Sequence, residues 1–384
     1  MHPPLESVIQ SVVARLNYFI DLHRQRPAVT YAEHVLQSRK ERAARIGARE
    51  LIYLDTNGWK CMADYRQRKP NLTPAMVAFG QALEAAARKD AFVFPIGLPT
   101  FFEMDSMTHP STRDTITDLA DQLSQGFCIA PFQDRIGHEL QQLRQNALNM
   151  PDELADFLCS PIELLGIPTL ALPNFVKEYV DDETFNKAFF DSVSELPFSI
   201  QLQVAGSAAG QKWDNMRSIA DLNIGKDEHQ KEVPNLNTGI FLELKGCIAS
   251  WFDQNEIEIS HKVIDHYALS AQYHWHKTPT TRALPTLRIL SSLYGLMRFD
   301  LQRRYRNGDP NDFMVAASAL PVAHALFTDR KLSNLLSDPR IGMNTFSNCT
   351  VVSGFEEMAK HTPGDAHLLF HPFIVFAVVF ADFA

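Results

Sequence analysis

The chain of 384 residues has no surplus of basic side chains, no paired cysteines and no apolar run of membrane-spanning length. Lys and Arg number 36 against 45 Asp and Glu, a formal net charge of −9. That balance gives no global attraction to nucleic acid or to an anionic membrane, so any polyanion has to be gripped locally. The five cysteines (Cys61, Cys128, Cys159, Cys247, Cys349) are odd in number, far apart and free of any CxxC pair. This excludes a disulfide framework and a cysteine-built zinc site, and it fits a reducing, cytoplasmic setting. The opening "MHPPLESVIQ" lacks a basic region followed by an apolar stretch, so no secretory signal is expected. "FIVFAVVFA", 373–381, is apolar throughout but much shorter than the roughly 20 residues a spanning helix needs, so no membrane partner is expected. Its β-branched and aromatic content suits a buried strand or a partner contact.

What is present is the composition of a folded globular protein, 45% hydrophobic and 21% charged, long enough for one elaborated domain or two smaller ones. Val8, Val12, Leu16 and Phe19 recur at helical spacing, and residues 1–48 read as a helical extension. In 49–135, "LIYLD", "AFVFPIG" (91–97) and "FCIAPF" (127–132) read as buried strands with helical segments between them. The order β-α-β-α-β predicts a parallel sheet with helices on both faces, an α/β fold. Residues 136–285 form helix-like segments broken at prolines and read as a helical insertion without strands. In 286–358 the α/β rhythm returns, with a long amphipathic helix through "RFDLQRRYRNG", a helix at 310–320, a strand at 324–328, a helix at 330–336 and a last strand in "NCTVVSG". Residues 359–384 are the apolar tail.

In open α/β sheets the ligand site lies beyond the carboxyl ends of the strands. Acids stand there: Asp55 directly follows the first strand, Asp329 directly follows "HALFT", and Glu103 comes just after the second strand. Asp312 opens the helix that precedes the strand ending in Asp329. Carboxylates brought together repel one another and resist desolvation, so a cluster of them calls for a cation or for retained protons. Hard oxygen ligands without His or Cys select Mg2+ or Mn2+. Two such ions about 4 Å apart can activate a water and stabilise the leaving oxygen of an in-line phosphodiester attack. Asn57 and Thr328 are placed to orient the coordinating oxygens.

In "YLDTNGW", "FFEM", "GDPNDFMVAASAL" and "ALFTDRKL" the chain resembles the PIN-domain ribonucleases. The resemblance covers roughly 50–135 and 287–355, and about 150 residues interrupt it, whereas PIN domains are usually small and continuous. It implies a three-layer α/β/α PIN-like domain around a central parallel sheet, interrupted by a large helical insertion. It also implies that Asp55, Glu103, Asp312 and Asp329 take the family's metal-binding, catalytic positions. The expected activity is a metal-dependent nuclease, an endoribonuclease that hydrolyses phosphodiester bonds, with RNA favoured over DNA as substrate. Two alternatives stand beside it. One is a catalytically silent PIN-like nucleic-acid-binding or scaffold protein. The other is the toxin component of a toxin–antitoxin pair, held by an inhibitory protein partner; a homo-oligomer is also allowed.

Each residue has a plainer reading as well. Asp55 can cap the helix after the first strand, because Asp is a favoured N-cap. Asp309 before Pro310 reads as a helix start that leaves Asp312 for chemistry, with Asp309 in a supporting role. Glu103 is preferred to Asp105, which points to another helix face. Arg303, Arg304 and Arg306, with Arg330 and Lys331 beside Asp329, form a local basic patch able to hold phosphates, or else a solvated helix end. His266, His274 and His276 lack a further ligand at zinc spacing, and Trp213, Trp251 and Trp275 read as core aromatics.

Overall fold

Apolar side chains at Leu51, Ile52, Tyr53 and Leu54 leave Glu50–Leu54 (β1) no wet face, which demands a central strand. In the computed structural model β1 is central: the sheet has four strands in the order β2-β1-β5-β6, all parallel. β2 is Phe92–Val93, β5 is Ala325–Thr328 and β6 is Thr350–Ser353. Ile52, Tyr53 and Leu54 stand opposite Ala325, Leu326 and Phe327. The structure describes residues 5–107, 109–148, 153–164, 166, 171–194, 196–201 and 216–362. Trp213 and nearly all of the apolar tail lie outside these residues. The fold is mixed α/β and mostly helical.

Strand alternation divides the core. Leu51, Tyr53 and Leu326 join one apolar cluster, whereas Ile52, Leu54, Ala325 and Phe327 join another. Helix α3 (Thr56–Arg66) follows β1, and α4 (Pro74–Arg88) starts at a Thr73 cap with proline in its first turn. Trp59 and Met62 from α3 and Phe79 and Leu83 from α4 fill the second cluster. The N-terminal segment is two helices, α1 (Leu5–Arg24) and α2 (Tyr31–Ile46), and α2 begins at a reciprocal Thr30–Glu33 capping box.

Three sequence expectations change. The run 127–132 does not extend the four-stranded sheet as a ladder: Cys128–Ile129 (β3) pairs antiparallel with Leu158–Cys159 (β4) and meets the rest through a single parallel bridge to Ile96. The insertion therefore contributes a strand, too short for periodicity to reveal. Second, the expected boundary near 136 falls inside α7 (Phe132–Gln145), whose Ile136 and Leu140 join Leu244 and Ile248 in the same cluster as Leu51 and Tyr53. Third, the amphipathic helix Pro285–Phe299 stops before the arginines, so Arg303, Arg304 and Arg306 lie in a loop. Asp300 terminates it by turning to extended backbone.

The helix Pro285–Phe299 starts from Leu284, which sits at φ 55, and no side chain of its own caps it. Glu139 of α7 does so from across the core, accepting from the Thr286 and Leu287 amides at 2.8 and 2.9 Å. Burial pushes its carboxyl up to about 7, while those amides and Arg135 pull it down. The same helix crosses Leu236–Gln254 at a contact made by two glycines. A methyl on Gly295 would lie 2.7 Å from the Ile240 backbone, and one on Gly239 would lie 2.8 Å from the Gly295 carbonyl. Gly295→Ala is expected to cost about 1–3 kcal/mol in urea denaturation, because neither backbone can move without opening the core. Gly246→Ala, on the same helix with open space around it, should be neutral or slightly stabilising.

Candidate metal centre

β1 connects outward to β2 on one side, while β5 sits on its other side and leads on to β6. The chain thus changes direction between β1 and β5, and in open α/β sheets ligands bind at the carboxyl ends of strands at such a switch point. Asp55 and Asp329 are the residues that follow β1 and β5. The Asp55 amide continues the ladder, donating to the Phe327 carbonyl at 2.9 Å. The residue is 6% exposed, and its carboxylate is divided between two partners. Oδ1 accepts from the Thr56 amide at 2.6 Å, the N-cap of α3, and Oδ2 accepts from the Thr328 hydroxyl at 2.8 Å. Asp329 caps the Arg330–Leu336 helix, with Oδ1 accepting from the Leu332 amide at 2.8 Å. Capping is thus real at both residues, yet it engages only part of what Asp55 offers, since the Thr328 bond reaches across the strands.

Glu103 arrives on α5 (Leu98–Asp105), which Tyr53 of β1 holds from below: its hydroxyl lies 3.1 Å from Thr100 Oγ1. A side chain on Gly97 would collide with that hydroxyl, so the helix can start there only on glycine. Asp312 arrives on Asp309–Ala319, a helix that packs against α5. Between them Asn311, buried and one residue before Asp312, donates to Glu103 Oε1. Sequence reasoning missed Asn311; its only signal was its place inside "DPND". Asn57, expected to orient the acids, is instead exposed in the first turn of α3. Asp105 makes a 3.1 Å ion pair with Arg113 on the next helix, α6 (Pro110–Ser124).

The acids feel one another. Asp55 is raised from 3.8 to about 6, chiefly by burial, with the Glu103 and Asp329 charges adding and the Thr328 bond opposing. Asp312 is raised to about 7, again chiefly by burial, with Asp55 and Asp329 adding and Lys331 opposing. Glu103, Asp312 and Asp329 thus lie within electrostatic reach of Asp55. Lys331 pairs at the rim of this group, 2.5 Å from Asp309 Oδ1 and 3.1 Å from Asp312 Oδ2. Asp309 also accepts from the Arg306 amide at 2.7 Å, which closes the turn ahead of its helix, so its role is structural. It sits at the first helical position with Gly308 as the cap, so the helix starts one residue earlier than the sequence suggested.

The donor set fits a hard divalent cation: four carboxylates, with no imidazole or thiolate among them. Thr56 Oγ1, next to Asp55, is buried and has no partner among the described residues, as a group awaiting water or ligand would be. The spacing is open. Among the described residues, no three of these acids bring one oxygen each within 4.8 Å of one another, so an ion would keep several waters, as Mg2+ does. The basic patch is largely engaged already: Arg303 pairs with Asp300 and Asp338, and Arg304 with Asp227. Arg306 and Arg330 are exposed. His274 approaches Thr281, and Trp251 and Trp275 donate to the Gln133 and Ala283 carbonyls within the core. No helix among the described residues is long and apolar enough to cross a membrane. Comparison with family models, curated proteins and solved structures finds no match to this chain.

The raised carboxyl of Asp55 makes stability pH-dependent. The folded chain keeps a proton there that the unfolded chain has already released, so this contribution is complete below pH 3.8 and is lost as pH rises through about 6. Asp312 extends the loss to about 7. Asp55→Asn removes one of these ionisations. Without divalent metal, the variant is expected to be more stable than the parent at pH 8 by about 1–2 kcal/mol, and closer to it at pH 5. Urea midpoints at the two pH values in EDTA check this.

Proposed function

We propose that the protein is a metal-dependent nuclease of the PIN type, an endoribonuclease that hydrolyses phosphodiester bonds. The observation that carries this reading is the meeting of Asp55, Glu103, Asp312 and Asp329, from four separate segments, at the switch point of a parallel sheet. Apolar clusters fed from alternate positions of β1 and β5 support a three-layer α/β/α arrangement, with α7 and the long helices that follow as an elaboration on one side. Asp55 and Asp329, fixed by their caps, and Glu103, held by Asn311, would hold Mg2+ or Mn2+ together with Asp312. The bound ion supplies Lewis acidity and a water of lowered pKa.

The chain's own groups do the rest. Lys331 balances Asp309 and Asp312 in the resting site, and its exposed ammonium can turn to an arriving phosphate. Arg306 and Arg330 stand beside the acids as the exposed cations for neighbouring phosphates, with RNA favoured over DNA as substrate. A cleft of about 600 Å³ lined by Lys226, Tyr294, Arg298 and Tyr305 also borders Pro310 and Met314 on the helix of Asp312. Its cations are already engaged, Lys226 by the Asp300 and Arg303 carbonyls and Arg298 by Glu243, so the cleft offers nucleotides no free charge. The Lys331 pairs favour one second reading, a silent scaffold in which lysine replaces the metal.

Cleavage of labelled single-stranded RNA and DNA in Mn2+, Mg2+ or EDTA separates the two readings. The expected outcome is metal-dependent cutting of RNA, reduced at least about a hundredfold in Asp55→Asn. Arg330→Ala should weaken RNA binding and lower its salt dependence by about one counterion. Cutting that survives EDTA or Asp55→Asn would overturn the nuclease site. Binding of RNA without cleavage in either metal would favour the scaffold.

A further inference from the structure

A second group of ligating side chains lies apart from the acids, where the N-terminal hairpin meets the helix Asp182–Val193. His23 stands in the last turn of α1 and is 3% exposed. His34 lies in the first turn of α2, just after its capping box. Asp191 stands near the end of the third helix and presents one oxygen to each imidazole: Oδ2 lies 2.7 Å from His23 Nε2, and Oδ1 lies 2.7 Å from His34 Nε2. The rings are 4.7 Å apart and steeply inclined at 78°. Among the described residues this is the group whose ligand atoms, one from each side chain, all fall within 4.8 Å of one another.

We propose that His23, His34 and Asp191 form a binding site for a divalent transition metal, Zn2+ in the first instance, which clamps α1 and α2 to the Asp182–Val193 helix. Two imidazoles and one carboxylate make a borderline donor set that prefers such ions to Mg2+ or Ca2+. It is also three-quarters of a tetrahedral zinc shell. A tetrahedral ion about 2.0 Å from each donor needs donors about 3.3 Å apart, so each imidazole has to retreat from the carboxylate by about half an ångström. Side-chain rotation provides that. His34 and Asp191 keep 20% and 19% of their side chains exposed, which leaves a way in for the ion and a place for a water as fourth ligand.

The surroundings fix the donors, and among the described residues no ion pair of Asp191 with a lysine or arginine side chain competes for the carboxylate. Phe190 meets the His34 ring edge-on at 5.8 Å. Arg15 donates to the backbone carbonyl of Asp191 rather than to its side chain. Lys187, buried nearby, directs its ammonium to the Arg26 and Val29 carbonyls in the turn between α1 and α2. The site joins residues 168 and 157 positions apart in the chain, so an ion there staples the N-terminal segment to the insertion. It does not depend on the nuclease reading.

The test is Zn2+ titration of the full chain by calorimetry, with Co2+ absorption as a second readout, on the parent and on Asp55→Asn, His34→Ala and His23→Gln. One equivalent of Zn2+ with a visible Co2+ band of nitrogen and oxygen ligation and a Tm raised by several degrees is expected in Asp55→Asn as in the parent, where any further equivalent belongs to the four acids. The equivalent and the band should be lost in His34→Ala, where the partly exposed ring can be removed with least damage to the fold, and in His23→Gln. No Zn2+ binding by the parent would overturn the proposal, leaving a carboxylate clamped by two hydrogen bonds. Binding unchanged in His34→Ala would overturn it equally.

Discussion

Everything at the candidate centre depends on the pairing of β1 with β5, strands brought together from opposite ends of the chain. The Asp55 amide and the Thr328 hydroxyl extend that ladder by one step, the first to the Phe327 carbonyl and the second to the Asp55 carboxylate across 273 positions of sequence. Because parallel strands end on the same edge, the next residue of each is an acid at a helix N-terminus. The helix dipole and cap amides tolerate the charge, which is why a buried strand can end on a carboxylate. The remaining acids are delivered by neighbours of this pair: Tyr53 of β1 props α5, and Asn311 ties α5 to the helix of Asp312.

The same arrangement is costly to the resting fold. Asp55 and Asp312 both have raised pKa values, and the leading cause in each is lost hydration. Lys331 relieves part of the repulsion from the exposed side. Anything that neutralises these charges on binding would return that cost as stability. The lysine is also the feature through which the site could be read as silent, so the chemistry of this one side chain separates the two functions.

The insertion is not a detachable module. Glu139 supplies the cap that the helix Pro285–Phe299 lacks, and the close crossing at Gly239 and Gly295 locks that helix to Leu236–Gln254. Since Pro285–Phe299 leads through a loop to Asp309 and Asp312, the insertion sets the approach of the acid-bearing helix. Its hydrophobic side chains share one cluster with Leu51 and Tyr53.

The sequence by itself determined the local features: a central apolar strand ending on Asp55, a later strand ending on Asp329, a helix start around Asp309 and Pro310, and acids as the residues to watch. These are legible because hydrophobic period and cap chemistry act over a few residues. Only the tertiary structure decided what each acid bonds to. It alone revealed Asn311 as the partner of Glu103, sent Lys331 to Asp309 and Asp312 rather than to open solvent, turned the arginine run into ion-paired loop, and gathered His23, His34 and Asp191. The Lys331–Asp312 and Asn311–Glu103 contacts join residues 19 and 208 positions apart. No local propensity encodes them; they follow from which faces must be buried together, a property of the whole packed chain.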